Sequence, residues 1–227
     1  MTTVYIVRHA EVVYPRDELG KKLMYPLSAP ISSEGKNQLV DFARNLQERG
    51  IVFNNIETSP ATRAVESAQI LSNILGGEII PNAAFTDSHV PGYIGIPISL
   101  QQELMDKGED IYQNPRSSDQ EPYDAITKRM LQGFNDLVKK NEGKTVALVS
   151  HGDPIRLLMY RLEHPEGEIP NMSILSKEGY LKRGEAYCVK IGEYGRIVET
   201  ELISNLGLKP GEREIYMDQR GGSERGT

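Results

Sequence analysis

The sequence has little cysteine, little histidine and no long apolar run, and each scarcity excludes a class of function. Its one cysteine, Cys188, cannot close an internal disulfide, and no CxxC or Cys/His cluster is present to hold zinc. Cys188 lies in the alternating stretch Ala186-Tyr187-Cys188-Val189-Lys190, which reads as strand, so it is expected to be a small core residue. No stretch is long and apolar enough to span a bilayer. Met1-Thr2-Thr3 runs straight into Val4-Tyr5-Ile6-Val7 without a basic region, so no secretory leader is expected and the cytoplasm is the expected location. Basic residues are not in excess. There are 26 of them against 32 acidic ones, a net charge of −6, which argues against a nucleic-acid partner.

What is there is a chain of 227 residues, 38% hydrophobic and 26% charged, long enough to bury a large core without staples. The apolar run at 4–7 reads as a buried strand, followed by a polar, proline-bearing loop to about residue 32. Residues 33–50 read as an amphipathic helix through Leu39, Phe42, Ala43 and Leu46, with Gly50 as its stop. A strand is expected over 51–58. Ser59-Pro60 should open the next helix, with serine as cap and proline in the first turn, and Gly76-Gly77 should end it. After a short strand at 78–81, the Gly-, Pro- and Ser-rich stretch 82–121 reads as a lid-like insertion with one helix near 100–105. A helix over 123–140, a buried strand over 145–150 and a helix opened by Asp153-Pro154 follow. Strands at 185–191 and 196–203 flank Gly192 to Gly195, the pattern of a hairpin. Residues 1–208 are expected to form one domain, and 209–227 a polar, loosely ordered tail. Strands alternating with helices indicate an α/β fold, a three-layer sandwich with a mostly parallel sheet between helices.

In such sheets ligands gather past the carboxyl ends of the strands. His9 and Arg8 stand there after the first strand, His151 after the strand at 145–150, and Arg63 in the first turn of the helix after 51–58. Phosphoryl transfer is helped mainly by positioning and by cations. Arginine binds phosphate oxygens with a planar fork and stays charged. A neutral imidazole keeps one lone pair free to attack phosphorus. His164, in a turn sequence, is given no role. Lys139-Lys140 and Lys182-Arg183 read as solvated faces, and Asp153 as a helix cap. Glu11 could orient Arg8 or touch a substrate.

Four segments carry a family resemblance. Val7-Arg8-His9-Ala10-Glu11 resembles the Arg-His-Gly signature of the histidine phosphatase superfamily, also called phosphoglycerate mutase-like. Residues 26–35 resemble the helix entry that follows it. Ser59-Pro60-Ala61-Thr62-Arg63-Ala64 resembles its Ser-Pro-x-x-Arg-Ala segment, and Ser150-His151-Gly152 its second histidine segment. The order is kept from about residue 4 to 203. The resemblance implies a phosphoglycerate mutase-like fold, His9 as phosphorylated nucleophile, and Arg8, Arg63 and His151 around the phosphoryl oxygens. It places the proton donor in the stretch Asp87-Ser88-His89-Val90-Pro91-Gly92-Tyr93-Ile94-Gly95, where counting back from Gly95 gives Asp87, with His89 as the alternative. Another branch has an aspartate directly after the second histidine, where this chain has Gly152. Ala10 stands in place of the usual glycine and Pro15 in place of an asparagine. Tyr93 and Ile94 stand in place of a Trp-Glu pair, and Pro91 in place of a glycine.

The expected function is therefore that of a phosphatase acting on a small phosphorylated substrate through a phosphohistidine on His9, with no metal or other cofactor. A homodimer is compatible with the sequence. The alternatives are a mutase that returns the phosphoryl group to its substrate, and a phosphate-binding protein without catalysis. The mutases carry paired arginines between the donor and the second histidine, where this chain has only Arg116 and Arg129, set apart.

Overall fold

The apolar runs at 4–7 and 145–150 become the two central strands of one sheet, because a strand covered on both faces has no polar side to expose. In a computed structural model, residues 1–204 are described, the side chain of Tyr194 excepted; the expected tail over 209–227 lies outside the described residues. The first half of the chain forms β1 (Thr2–Arg8), α1 (Ser33–Glu48), β2 (Asn55–Thr58), α2 (Thr62–Leu75), β3 (Glu78–Pro81) and α3 (Ile98–Asp106). The second half forms α4 (Tyr123–Lys140), β4 (Thr145–Ser150), α5 (Gly152–Glu163), α6 (Met172–Leu175), β5 (Ala186–Ile191) and β6 (Ile197–Ile203).

The six strands lie in the order β3-β2-β4-β1-β5-β6. The first four are parallel, while β5 and β6 run antiparallel as the expected hairpin, so the sheet is mixed. Alternation along each strand sends side chains to opposite faces. Tyr5, Val7, Ala147 and Val149 pack with Leu39, Phe42 and Leu46 of α1 and Ala64, Ala68 and Leu71 of α2. Val4, Ile6, Val146 and Leu148 pack with Ile126, Met130, Phe134 and Leu137 of α4 and Ile155, Leu157 and Leu158 of α5. Cys188 is buried on the first of these faces, as a core residue. Helices thus cover both faces, the three-layer arrangement expected of the sequence.

Helix ends follow local chemistry with two exceptions. Ser32 caps α1 by accepting from the Gly35 N–H, and Gly50 follows the helix at φ 76°, a left-handed conformation that glycine adopts freely. The expected start of α2 at Ser59-Pro60 is not found. That helix begins at Thr62 after Ala61, which makes no side-chain cap. The expected cap at Asp153 is also not found. α5 begins at Gly152 with His151 in the cap position, and Asp153 is already inside the first turn with its carboxylate turned to two tyrosines. The strand expected over 51–58 shortens to β2, because the Phe53 N–H bonds Leu75 O at the end of α2 rather than a neighbouring strand.

The stretch 82–121 holds short 3-10 turns at Ala83–Phe85 and Pro91–Tyr93 and then α3, which includes the helix expected near 100–105. It lies against the loop after β1 through Met24 N–H to Ile96 O and Gly95 N–H to Met24 O. α6, with four residues, is too short to carry a periodic signal in the sequence.

Candidate active site

The register of the parallel strands brings the candidate residues together. Arg8 pairs with Ser150 and Thr58 with Val149, so His9, Ser59 and His151 leave the sheet side by side. Sheet-like bonds continue one residue further, from His9 N–H to Ser150 O at 3.0 Å and from Ser59 N–H to Val149 O at 2.9 Å. The two imidazoles lie 5.1 Å apart between ring centroids, and each residue is 1% exposed.

His9 Nδ1 is 2.7 Å from its neighbour's carbonyl, Ala10 O. A carbonyl only accepts, so Nδ1 carries the hydrogen and Nε2 keeps the lone pair. Burial, followed by the charges around His151 and Arg63, holds the His9 pKa well below the usual histidine value, and the ring stays neutral. Ala10 N–H donates to Ser67 Oγ at 3.1 Å, which fixes the backbone beside the imidazole.

Arg63 is 1% exposed and is among the largest fully buried side chains. Its Nη1 donates to Pro26 O at 3.1 Å and its Nη2 meets Asp87 Oδ2 at 2.5 Å. The same Asp87 oxygen is 3.3 Å from His151 Nδ1. His151 Nε2 is 2.8 Å from Ser59 Oγ, so the serine expected to cap α2 orients the second histidine instead. Arg8 Nη1 donates to Leu181 O at 2.6 Å, and its guanidinium lies over the Tyr180 ring at 5.0 Å from the centroid. Arg8 Nε, Arg63 Nε and His151 Nδ1 are buried without a hydrogen-bond partner. Buried donors are nearly always paired in proteins. Arg8 Nε and Arg63 Nε are thus left without a partner, and His151 Nδ1 has only the 3.3 Å approach of the Asp87 carboxylate.

The acid–base character of the site follows from its burial. His151 is pushed down to about 3 by burial, against the opposing pull of Asp87. Burial drives the Asp87 carboxyl up, but His151 and the Arg63 guanidinium outweigh it and leave the group below the ordinary carboxylate range. His89, the alternative donor, is turned away from this centre, with its Nε2 3.2 Å from Asp119 and its side chain 58% exposed. Among the described residues no group of three His, Cys, Asp or Glu side chains is placed to hold a metal.

Two arginines have roles that the sequence did not disclose. Arg129 of α4 donates to Ala84 O, Thr86 O and Asp87 O at 2.8, 2.7 and 3.2 Å, and binds the Glu121 carboxylate at both Nε and Nη2. It therefore holds the backbone from which Asp87 projects. A usable signal was its place three residues after Ile126 and one before Met130, beside the apolar stripe of the helix. Arg183 is not solvated as expected. Its Nη1 meets Glu11 Oε2 at 2.6 Å and its guanidinium lies over Tyr14, so Glu11 pairs with Arg183 and not with Arg8. Arg156 is occupied structurally, its Nε donating to Leu175 O at 2.8 Å. His164 stacks on Tyr160 near the surface.

Comparison with known proteins gives the family and the fold. The sequence profile described as the histidine phosphatase superfamily (branch 1) matches residues 4–178. Broad-specificity phosphatase YOR283W of Saccharomyces cerevisiae is 23% identical over 220 residues, which cover 91% of this chain and 92% of that protein. Among solved structures, Bacillus stearothermophilus YhfR superposes with a TM-score of 0.73 at 18% identity, over 90% of this chain and 99% of that one. A phosphoserine phosphatase mutant from Entamoeba histolytica, in complex with phosphoserine, gives 0.67 at 21% identity over 92% and 100%. The mycobacterial glucosyl-3-phosphoglycerate phosphatase Rv2419c, in complex with VO3, gives 0.67 at 18% identity over 88% and 96%. These structures share the fold, and the relatives so named are phosphatases.

Proposed function

The chain belongs to the histidine phosphatase superfamily, and from that premise we propose that it hydrolyses a small phosphomonoester through a phosphohistidine on His9, without a metal. The observation that carries this reading is that the buried Arg8 Nε and Arg63 Nε lack a partner and His151 Nδ1 has only the 3.3 Å approach of Asp87, at the strand ends where the His9 ring keeps its Nε2 free.

A phosphoryl group entering the site takes those donors on its oxygens, with its phosphorus facing His9 Nε2. Attack forms the N–P bond while the P–O bond to the leaving group breaks. The leaving oxygen takes a proton from Asp87. Asp87 is ionised against Arg63 in the free protein. A phosphate dianion draws the guanidinium to itself and repels the carboxylate, so its arrival raises the affinity of Asp87 for a proton and arms it as an acid. In the second half, Asp87 takes a proton from water as the water oxygen attacks phosphorus. The N–P bond then breaks, returning neutral His9 and inorganic phosphate. The fixed cations do the charge stabilisation that a metal does elsewhere.

Arg129 speaks against a mutase. Every nitrogen of its guanidinium is already committed to carbonyls or to Glu121, so it cannot clamp a second phosphate, and Arg116 lies exposed over the Tyr93 ring. The test is phosphate release from p-nitrophenyl phosphate between about pH 4 and 8 in EDTA, for wild type and His9→Ala. Activity that survives EDTA and disappears in the variant supports the reading, and equal activity in both removes His9 as nucleophile. With 3-phosphoglycerate and a trace of its bisphosphate, isomer formation far faster than phosphate release would favour the mutase.

A further inference from the structure

Asp153 is a carboxylate beside the site to which the steps above give no part. It sits two residues past His151 and accepts from two tyrosines, Tyr180 Oη to Oδ1 at 2.5 Å and Tyr112 Oη to Oδ2 at 2.7 Å. These tyrosines come from separate segments, one before β5 and one between α3 and α4. Each also touches a member of the reacting site. The Tyr180 ring carries the Arg8 guanidinium, and its hydroxyl stands against Gly152, where any Cβ would collide with it and would lie 2.9 Å from Arg8 Cζ. Tyr112 Oη is 2.7 Å from Ser88 Oγ, and the Ser88 N–H donates to Asp87 Oδ1 at 2.9 Å.

A phenol has one proton to give, and a carboxylate is a stronger acceptor than a hydroxyl. Both phenols therefore donate to Asp153, and the Ser88 hydroxyl donates to Tyr112. The bonds run in a consistent sense from Ser88 through Tyr112 to Asp153, and from Tyr180 to Asp153. Burial lifts the Asp153 carboxyl above its ordinary range, and the hydroxyls of Tyr180 and Tyr112 favour its ionised, accepting form.

We propose that Asp153 is a positioning residue with two arms, one setting Arg8 against the phosphoryl group through Tyr180, the other holding Asp87 at the leaving oxygen through Tyr112 and Ser88. The second arm rests on the reading of Asp87 as proton donor. The arms have different kinetic signatures. p-Nitrophenolate leaves with little protonation, whereas the alkoxide of β-glycerophosphate requires it. Misplacing the donor therefore slows the alkyl ester selectively, while misplacing Arg8 weakens the hold on the phosphoryl group shared by both esters.

The experiment measures kcat and KM for both esters, and inhibition by inorganic phosphate, in Tyr112→Phe, Tyr180→Phe, Asp153→Asn and Asp87→Asn. Tyr112→Phe should lower kcat for β-glycerophosphate about tenfold more than for p-nitrophenyl phosphate. Tyr180→Phe should raise both KM values and the phosphate inhibition constant together, about fivefold, without changing the ratio of the two kcat values. Asp153→Asn should show both signatures. Equal losses on the two esters in Tyr112→Phe would mean a merely structural hydroxyl and overturn the donor arm. Unchanged phosphate inhibition in Tyr180→Phe would overturn the other. The Asp87→Asn variant separates the causes. If it shows the alkyl-selective loss and Tyr112→Phe does not, the positioning inference falls and the donor stands. If it shows no such selectivity, the donor reading itself falls and takes that arm with it. Should Asp153→Asn fail to fold, the two phenylalanine variants still decide each arm.

Discussion

Arg63 and Asp87 form an ion pair at 2.5 Å in the centre of the candidate site, so one of the cations offered to a phosphate already holds an internal anion. The pair keeps a fully buried guanidinium from standing alone, which is costly inside a protein. On the proposed function it also makes the carboxylate a competitor of the substrate.

This competition yields the first prediction. Asp87→Asn should tighten binding of inorganic phosphate or vanadate by about tenfold, because the neutral amide no longer contends for Arg63. Turnover of alkyl phosphomonoesters should fall by about a hundredfold or more, because the acid is lost. Titration calorimetry and steady-state kinetics read the two effects, and weaker phosphate binding in the variant would contradict the competition.

Arg63→Lys should cost more than a conservative exchange suggests. A lysine ammonium cannot serve Pro26 O, Asp87 and a phosphoryl oxygen from one planar fork. kcat/KM should drop by about a hundredfold with the fold retained, as judged by circular dichroism and kinetics.

Stability should depend on pH in a way set by the two buried imidazoles. Both are neutral in the fold, with pKa values lowered from 6.5, that of His151 to about 3. The unfolded chain binds protons there below about pH 6.5 while the folded one does not, so stability falls as pH drops from that point toward about 3. Each histidine contributes a slope of up to about 1.4 kcal/mol per pH unit. Asp87, whose pKa is depressed, adds stability above the ordinary carboxylate value and loses it as pH falls through its lowered folded value. Urea midpoints between about pH 4 and 7 should fall on acidification in the wild type and fall less steeply in His151→Ala, where His9 remains, and equal slopes in both would contradict the assignment.

Ser59→Ala should release the second histidine rather than unwind α2. The hydroxyl bonds His151 Nε2, and although it also accepts from the Ala61 N–H, no side chain caps α2. The melting temperature should change by only a few degrees, while KM for any phosphomonoester rises about five- to tenfold, because His151 then lacks the bond that sets its ring.

The reach of the sequence differs between parts of this molecule for physical reasons. His9 and His151 were legible because each stands just past a short apolar run, and Arg63 because it lies in the Ser-Pro-x-x-Arg-Ala segment. Such runs make buried parallel strands whose carboxyl ends gather. The register that sets Arg8 beside Ser150 was not legible, since it is fixed by pairing across 142 residues of chain. Ser59 and Asp153 each precede a proline and so look like caps. Tertiary partners, His151 for one and two tyrosines for the other, claimed both side chains. Arg183 looked like a turn charge because its carboxylate partner, Glu11, is 172 residues away. Tyr112 and Tyr180 left no signal at all, since nothing local distinguishes a phenol that reaches a distant carboxylate from one that meets solvent.

The hold of Arg129 on the carbonyls of Ala84, Thr86 and Asp87 bears on how such a protein changes over evolutionary time. On the proposed mechanism the acid is carried by the scaffold and does not wait for the substrate to draw it in. Recognition of the leaving group and delivery of its proton are thereby separate inheritances. Positions outside that hold can change toward new esters, whereas Glu121 and Tyr112, which are bound to it, cannot do so without moving the carboxylate.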